Sequence, residues 1–166
     1  MNHFTYKNQS LYCENVALST IAETYGTPAY VYSRATLTEN FLAYQNALGE
    51  QEGLICYAVK ANSNIAVLNV LAKLGAGFDI VSIGELERVL RAGGSPEKIV
   101  FSGVAKTEQE MQRALEAGVH RFGLTPMWMP TLTRISLPAL KKINSALISN
   151  RPLVFMSKLT SCRVFV

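Results

Sequence analysis

Between Leu54 and Leu124 the chain repeats one pattern: a short apolar run, a corner of polar residues or glycine, then a longer segment with helical spacing. Strand-like runs fall at Leu54 to Val59, Gly77 to Val81 and Lys98 to Phe101, with a possible fourth at Val119 to Leu124. Helix-like runs at Asn64 to Leu74, Gly84 to Ala92 and Thr107 to Ala117 lie between them. Apolar strands recurring about every 20 residues with a helix in each interval have the period of βα units in a parallel sheet. Ser82-Ile83-Gly84-Glu85 and Thr107-Glu108-Gln109-Glu110 have the spacing of capping boxes, which satisfy amide donors at a helix start, and Gly75, Gly93 and Gly118 end the helices. The pattern predicts an α/β chain forming part of a (β/α)₈ TIM-type barrel, with an open doubly wound sheet as the alternative. No Gly-x-Gly-x-x-Gly follows a strand, which weakens a dinucleotide-binding version of that alternative. Eight βα units take about 250 residues, so the barrel is incomplete.

The residues before this repeat read differently. Val16 to Tyr25 is predicted as a short amphipathic helix closed by Gly26, and Ala29 to Tyr32 as an extended run. Ser33 caps a further helix carrying Leu37, Phe41, Tyr44 and Leu48 at three- and four-residue steps and stopping at Gly49. Three segments result: a lead-in of strand and helices over 1–53, the incomplete barrel over 54–120, and a tail over 121–166 expected to be irregular, disordered or poorly packed.

Charge sets the tail apart. The formal net charge of +4 sums two unlike parts, nine Lys or Arg against twelve acids through His120, then seven Lys or Arg and no Asp or Glu from Arg121 onward. The tail's positive residues lack helical or strand periodicity, so no groove-reading element is evident and nucleic acid is not expected as a partner. No stretch approaches the roughly 20 apolar residues of a membrane span, and the N-terminus lacks a basic-then-apolar leader pattern, so a cytoplasmic protein is expected. Cys13, Cys56 and Cys162 are odd in number and far apart; neither a disulfide framework nor a metal site is suggested.

Tyr57-Ala58-Val59-Lys60-Ala61-Asn62 places Lys60 at the C-terminal lip of the first barrel strand. Partial desolvation at such a lip favours a neutral amine able to condense with an aldehyde. The competing reading is a solvated strand end.

Taken with Tyr30-Val31-Tyr32-Ser33, Gly77-Phe78-Asp79-Ile80-Val81-Ser82, Gly84-Glu85-Leu86-Glu87-Arg88 and Phe101-Ser102-Gly103, this motif resembles the N-terminal part of the diaminopimelate decarboxylases. These belong to the alanine-racemase-like, fold-type III enzymes that depend on pyridoxal 5′-phosphate (PLP). The likeness runs from about Phe4 to about His120. It implies that Lys60 is the catalytic, PLP-holding lysine, that Asp79 lies near the cofactor, that a small amino acid is the substrate, and that the parent enzyme is a homodimer. The expected reaction takes meso-diaminopimelate to L-lysine and CO₂. A decarboxylase of ornithine or arginine, or a racemase, is the alternative within the enzymes; outside them stands a non-catalytic, pseudogene-like remnant. Ser82 and Glu85 read as capping residues, Ile83 is given no role, and Tyr30, Tyr32 and Tyr57 are expected to pack.

The resemblance stops where the acids do, and the codons suggest why. Met and Trp have one codon each, so Met127-Trp128-Met129 is ATG TGG ATG. Read one base earlier with permitted codons, Phe122 to Pro130 becomes Arg-Val-Asn-Pro-Asp-Val-Asp-Ala. Thr131 to Ala146 then continues as His-Thr-His-Pro-Tyr-Ile-Ser-Thr-Gly-Leu-Lys-Glu-Asn-Lys-Phe-Gly. Both stretches are similar to a segment these decarboxylases carry further along the barrel. The tail is therefore expected to be read in a shifted frame, and the chain to be a truncated fragment with negligible activity alone.

Overall fold

The computed structural model describes residues 3–123, 153–156 and 164–165, and falls into two units, 1–47 with 158–166 and 48–157.

The first unit begins with an antiparallel hairpin of β1 (Phe4–Lys7) and β2 (Ser10–Cys13), which the sequence reading did not separate from its lead-in. Asn8 and Gln9 both take positive φ, 48° and 64°, as a two-residue turn requires when it must match the twist of its strands. β3 (Val16–Ala17) adds to β2, so the helix expected from Val16 starts later, as α1 (Leu18–Tyr25). Cys13, Leu18 and Val31 form this unit's buried cluster, with Phe4, Leu11 and Ile21 against it. β4 (Tyr30–Val31) precedes α2 (Arg34–Leu48). In so short a strand side chains alternate, and Val31 is buried while Tyr30 is exposed, against the expectation that Tyr30 packs.

Ser33 caps α2 as expected, its Oγ accepting from the Thr36 amide at 3.0 Å. Glu14, at a φ of 56°, adds a second cap from afar: its carboxylate accepts from Ser33 Oγ at 2.7 Å and the Ala35 amide at 2.9 Å. Those bonds, the Ala35 amide first, hold the Glu14 carboxyl below its ordinary pKa.

The second unit is the α/β part. β5 (Leu54–Ala58), β6 (Gly77–Ile80), β7 (Ile99–Phe101) and β8 (Arg121–Phe122) pair in parallel in that order, joined through α3 (Ile65–Lys73), α4 (Ile83–Arg91) and α5 (Glu108–Glu116). Each repeat of the sequence pattern is thus one βα unit. Tyr57, Phe78, Ile80, Ile99 and Phe101 are wholly buried, as expected of parallel strands covered on both faces. At the other edge of β5 a fifth strand, β9 (Leu153–Met156), pairs in parallel from Leu54↔Leu153 to Tyr57↔Met156. β10 (Val164–Phe165) runs antiparallel to β4. These two short strands lie within the tail expected to be irregular, disordered or poorly packed: unpaired strand edges recruit apolar runs, and Leu-Val-Phe-Met is such a run. Residues 124–152, 157–163 and 166 of the tail, including the recoded Met127-Trp128-Met129, lie outside the described residues. The sheet order is β8-β7-β6-β5-β9, so among the described residues the barrel is open.

α3, α4 and α5 each end on a left-handed glycine, Gly75, Gly93 and Gly118, and the following amide turns back onto the helix, as from Gly94 to the Val89 carbonyl at 2.9 Å. The Thr107–Glu110 capping box forms in full. At α4 only half of the expected box forms: Ser82 Oγ accepts from the Glu85 amide at 3.3 Å, but Glu85 Oε2 reaches past Ser82 to the Val81 amide at 2.8 Å. The Ser82 end of α4 is supported instead by Glu110, whose Oε1 accepts from the Ile83 amide at 3.3 Å and so joins the starts of α4 and α5.

Candidate active site

The C-terminal ends of parallel strands are where side chains from several βα units converge. β5 ends at Ala58 and turns at once into a short 3₁₀ segment, Val59–Ala61, with Lys60 at its exposed point. The turn is braced from within: the Asn62 amide donates to the Val59 carbonyl at 3.1 Å, and the buried Tyr57 hydroxyl donates to the Asn62 carbonyl at 3.3 Å. Asn64 then caps α3, its side chain accepting from the Ala66 amide at 2.8 Å. Lys60 is therefore an exposed residue on a braced turn, which the chain enters as soon as β5 ends.

Asp79 lies opposite Ala58 in the β5–β6 register, with 8% of its surface exposed. Its Oδ1 is buried without a hydrogen-bond partner. Burial raises the carboxyl above its ordinary pKa; a hydrogen bond with the Ser102 side chain and the charges of Lys60 and Lys106 pull the other way. The sequence-predicted pair, Lys60 and Asp79, is thus brought within electrostatic reach. Behind it in β5, burial first and the Asp79 charge second push the Cys56 thiol up to about 12, against the opposing charge of Arg121, so Cys56 stays a neutral thiol rather than a nucleophile.

The sequence reading missed Lys106. Burial lowers its pKa and the Asp79 charge raises it. It sits in the loop after β7, with no strand or helix period to mark it.

The sign of the Asp79 shift gives a test. Its folded pKa lies above the unfolded value, so its contribution to stability is fully present below the unfolded pKa and is lost as pH rises through the folded one. Asp79→Asn is expected to unfold at higher temperature than the parent chain at neutral pH and to lose that advantage under acid conditions where Asp79 is protonated. A variant less stable at neutral pH would mean that the ionised carboxylate is compensated in the fold.

Residues 34–136, more than half the chain, match the family described as the pyridoxal binding domain of the pyridoxal-dependent decarboxylases. The chain belongs to this family. The match also runs beyond His120, where the sequence resemblance was placed, so the family pattern includes β8. The chain is 62% identical over 124 residues to a diaminopimelate decarboxylase of Pseudomonas aeruginosa, covering 75% of this chain and 30% of that protein. It is 58% identical over 125 residues to that of Vibrio cholerae, again covering 75% and 30%. The crystal structure of a diaminopimelate decarboxylase from M. jannaschii in co-complex with L-lysine superposes with a TM-score of 0.69 at 30% identity, over 93% of this chain and 35% of that one. The chain spans about a third of the length of these relatives. As a member of that family it has the α/β architecture of part of a barrel, and the family's pyridoxal binding domain implies PLP as the cofactor. Among the described residues no helix is long and apolar enough to cross a membrane.

The residues present suit that cofactor. A buried carboxylate oxygen lacking a donor is a place for a ligand that brings one, and PLP offers donors at its ring nitrogen and hydroxyl. A flexible primary amine stands beside it for the aldehyde.

Proposed function

We propose that Lys60 bonds PLP through Nζ, that Asp79 faces the bound cofactor, and that the whole protein converts meso-diaminopimelate to L-lysine and CO₂. The observation that carries this is the unpartnered Asp79 Oδ1 within electrostatic reach of the lysine at the end of β5. Bound PLP supplies the sink for the electron pair left when CO₂ departs. This chain's part is to present the amine of Lys60 and to hold the Asp79 carboxyl within its electrostatic reach. The choice of substrate follows the names of relatives 45–62% identical to the chain. Lysine and lysine/ornithine decarboxylases of known structure are 22% identical and speak only to the fold.

The same proposal takes the tail after about His120, recoded from Phe122 onward, to be read in a shifted frame. Its test is CO₂ release by the product of the gene read through the Arg-Val-Asn-Pro-Asp-Val-Asp-Ala frame, with meso-diaminopimelate, ornithine, arginine and lysine compared. Release from meso-diaminopimelate at least tenfold faster than from the others is expected. A preference for ornithine or arginine overturns the substrate, and genomic DNA that does not encode that frame overturns the shifted reading.

A further inference from the structure

We propose that Tyr57 is a positioning residue of this site: from the helix-covered face of the sheet its hydroxyl holds the turn that carries Lys60, and so sets how firmly that amine keeps the cofactor aldehyde, an inference that rests on Lys60 being the lysine that bonds PLP. Successive residues of a strand point to opposite faces of a sheet, and residues paired across strands share a face. Tyr57 stands opposite Phe78, and Ala58 opposite Asp79. The Phe78 ring lies on the helix side, since a Cβ on Gly94, just after α4, would meet Phe78 Cε2 at 3.0 Å and Val89 Cγ1 at 2.5 Å. Tyr57 is thus fully buried on the helix-covered face, with Ala58 and Asp79 on the other. It reaches Lys60 through the backbone and not through the cofactor.

The Tyr57 hydroxyl donates to the Asn62 carbonyl at 3.3 Å, closing a loop around the 3₁₀ segment Val59–Ala61 that contains Lys60. Asn62 is held through its other groups as well: its amide donates to the Val59 carbonyl at 3.1 Å, and its side-chain Oδ1 accepts from the Asn64 amide at 2.9 Å. One residue on, the Ser63 carbonyl accepts from Arg88 of α4 at 3.4 Å. The backbone that follows Lys60 is therefore tied to β5, to the start of α3 and to α4, while Lys60 itself is exposed. Condensation joins Lys60 Nζ to the aldehyde carbon with loss of water. A turn already ordered gives up less freedom when that bond forms, so the bond is the tighter for it.

Tyr57→Phe in the full chain removes one oxygen and leaves the ring in place. PLP is titrated into parent and variant, the product is reduced with borohydride, and the label on the Lys60 peptide is measured by mass spectrometry. Half-saturation in the variant is expected at about threefold higher PLP or more, the worth of one net hydrogen bond. Formaldehyde with cyanoborohydride, an aldehyde that needs no site, should methylate Lys60 equally fast in both, which a general loss of folding would not leave unchanged. Equal half-saturation in folded Tyr57→Phe overturns the proposal, and so does a methylation rate that changes in step with PLP labelling. Asn62→Gly loosens the same turn without touching the core; PLP labelling as tight as the parent's in this second variant also overturns it. A parent chain that takes no PLP at Lys60 would overturn the cofactor assignment instead. Hydrogen exchange then still reads the tie: the Asn62 amide should exchange faster in Tyr57→Phe, and an unchanged rate would show that the hydroxyl does not hold the turn.

Discussion

Lys60→Ala is expected to abolish stable retention of PLP. In the parent chain, incubation with PLP followed by gel filtration is expected to leave a visible absorbance on the protein; in Lys60→Ala the protein elutes colourless. The size of the effect follows from what holds the ligand. Lys60 is the exposed amine of the site and the Asp79 carboxyl is buried, so without the covalent bond only non-covalent contacts remain, too weak to survive gel filtration. The substitution is otherwise mild. Lys60 is exposed on a 3₁₀ turn held by bonds of the Tyr57 hydroxyl and the Asn62 amide, so the variant should melt within about 0.5 kcal/mol of the parent, as exposed substitutions do. Colour retained by Lys60→Ala would assign PLP to another amine. Colour lost together with the fold would mean that Lys60 supports the turn.

Phe78→Ala is expected to have the largest effect on stability. Phe78 is fully buried in β6, paired with Tyr57 on one side and Ile99 on the other, and its ring meets the corner after α4, where a Cβ on Gly94 would come within 3.0 Å of Phe78 Cε2. Removing a ring so enclosed costs about 3–5 kcal/mol, the transfer of the ring plus the cavity it leaves. Whole domains are stable by only about 5–15 kcal/mol. Urea unfolding of Phe78→Ala should therefore show a midpoint far below the parent's, or no folded baseline. Exposed Val104, in the loop after β7, is the control, and Val104→Ala should unfold with the parent. Equal midpoints for Phe78→Ala and the parent would mean that the β5–β8 sheet is not the folding core.

The βα repeat was legible because each of its signals is local. Apolar strands, the Thr107–Glu110 box and the glycine stops all lie within a few residues of the element they define. Lys60 and Asp79 were picked out for another reason, as parts of ordered motifs resembling a known family, and the β5–β6 register sets Asp79 opposite Ala58, two residues before Lys60. What escaped the reading depends on distance along the chain. Glu14 caps a helix about 20 residues away, and Lys106 binds the Gly123 carbonyl across a seam that exists only once β7 and β8 pair. The β1–β2 hairpin escaped because Asn8-Gln9 carries no glycine, the usual mark of such a turn. The 3₁₀ turn that carries the exposed Lys60 was not foreseen, because a single such turn after a strand leaves no trace in hydrophobic periodicity.

The central claim is a covalent bond between PLP and Lys60, and the most direct measurement is to make that bond permanent and find it. The chain is incubated with PLP, reduced with borohydride, digested, and mapped by mass spectrometry. One pyridoxyl group on the peptide containing Lys60, absent when reductant is omitted, is the expected result. A label on Lys106, the partly buried amine of the same site, or one spread evenly over the lysines, would contradict it.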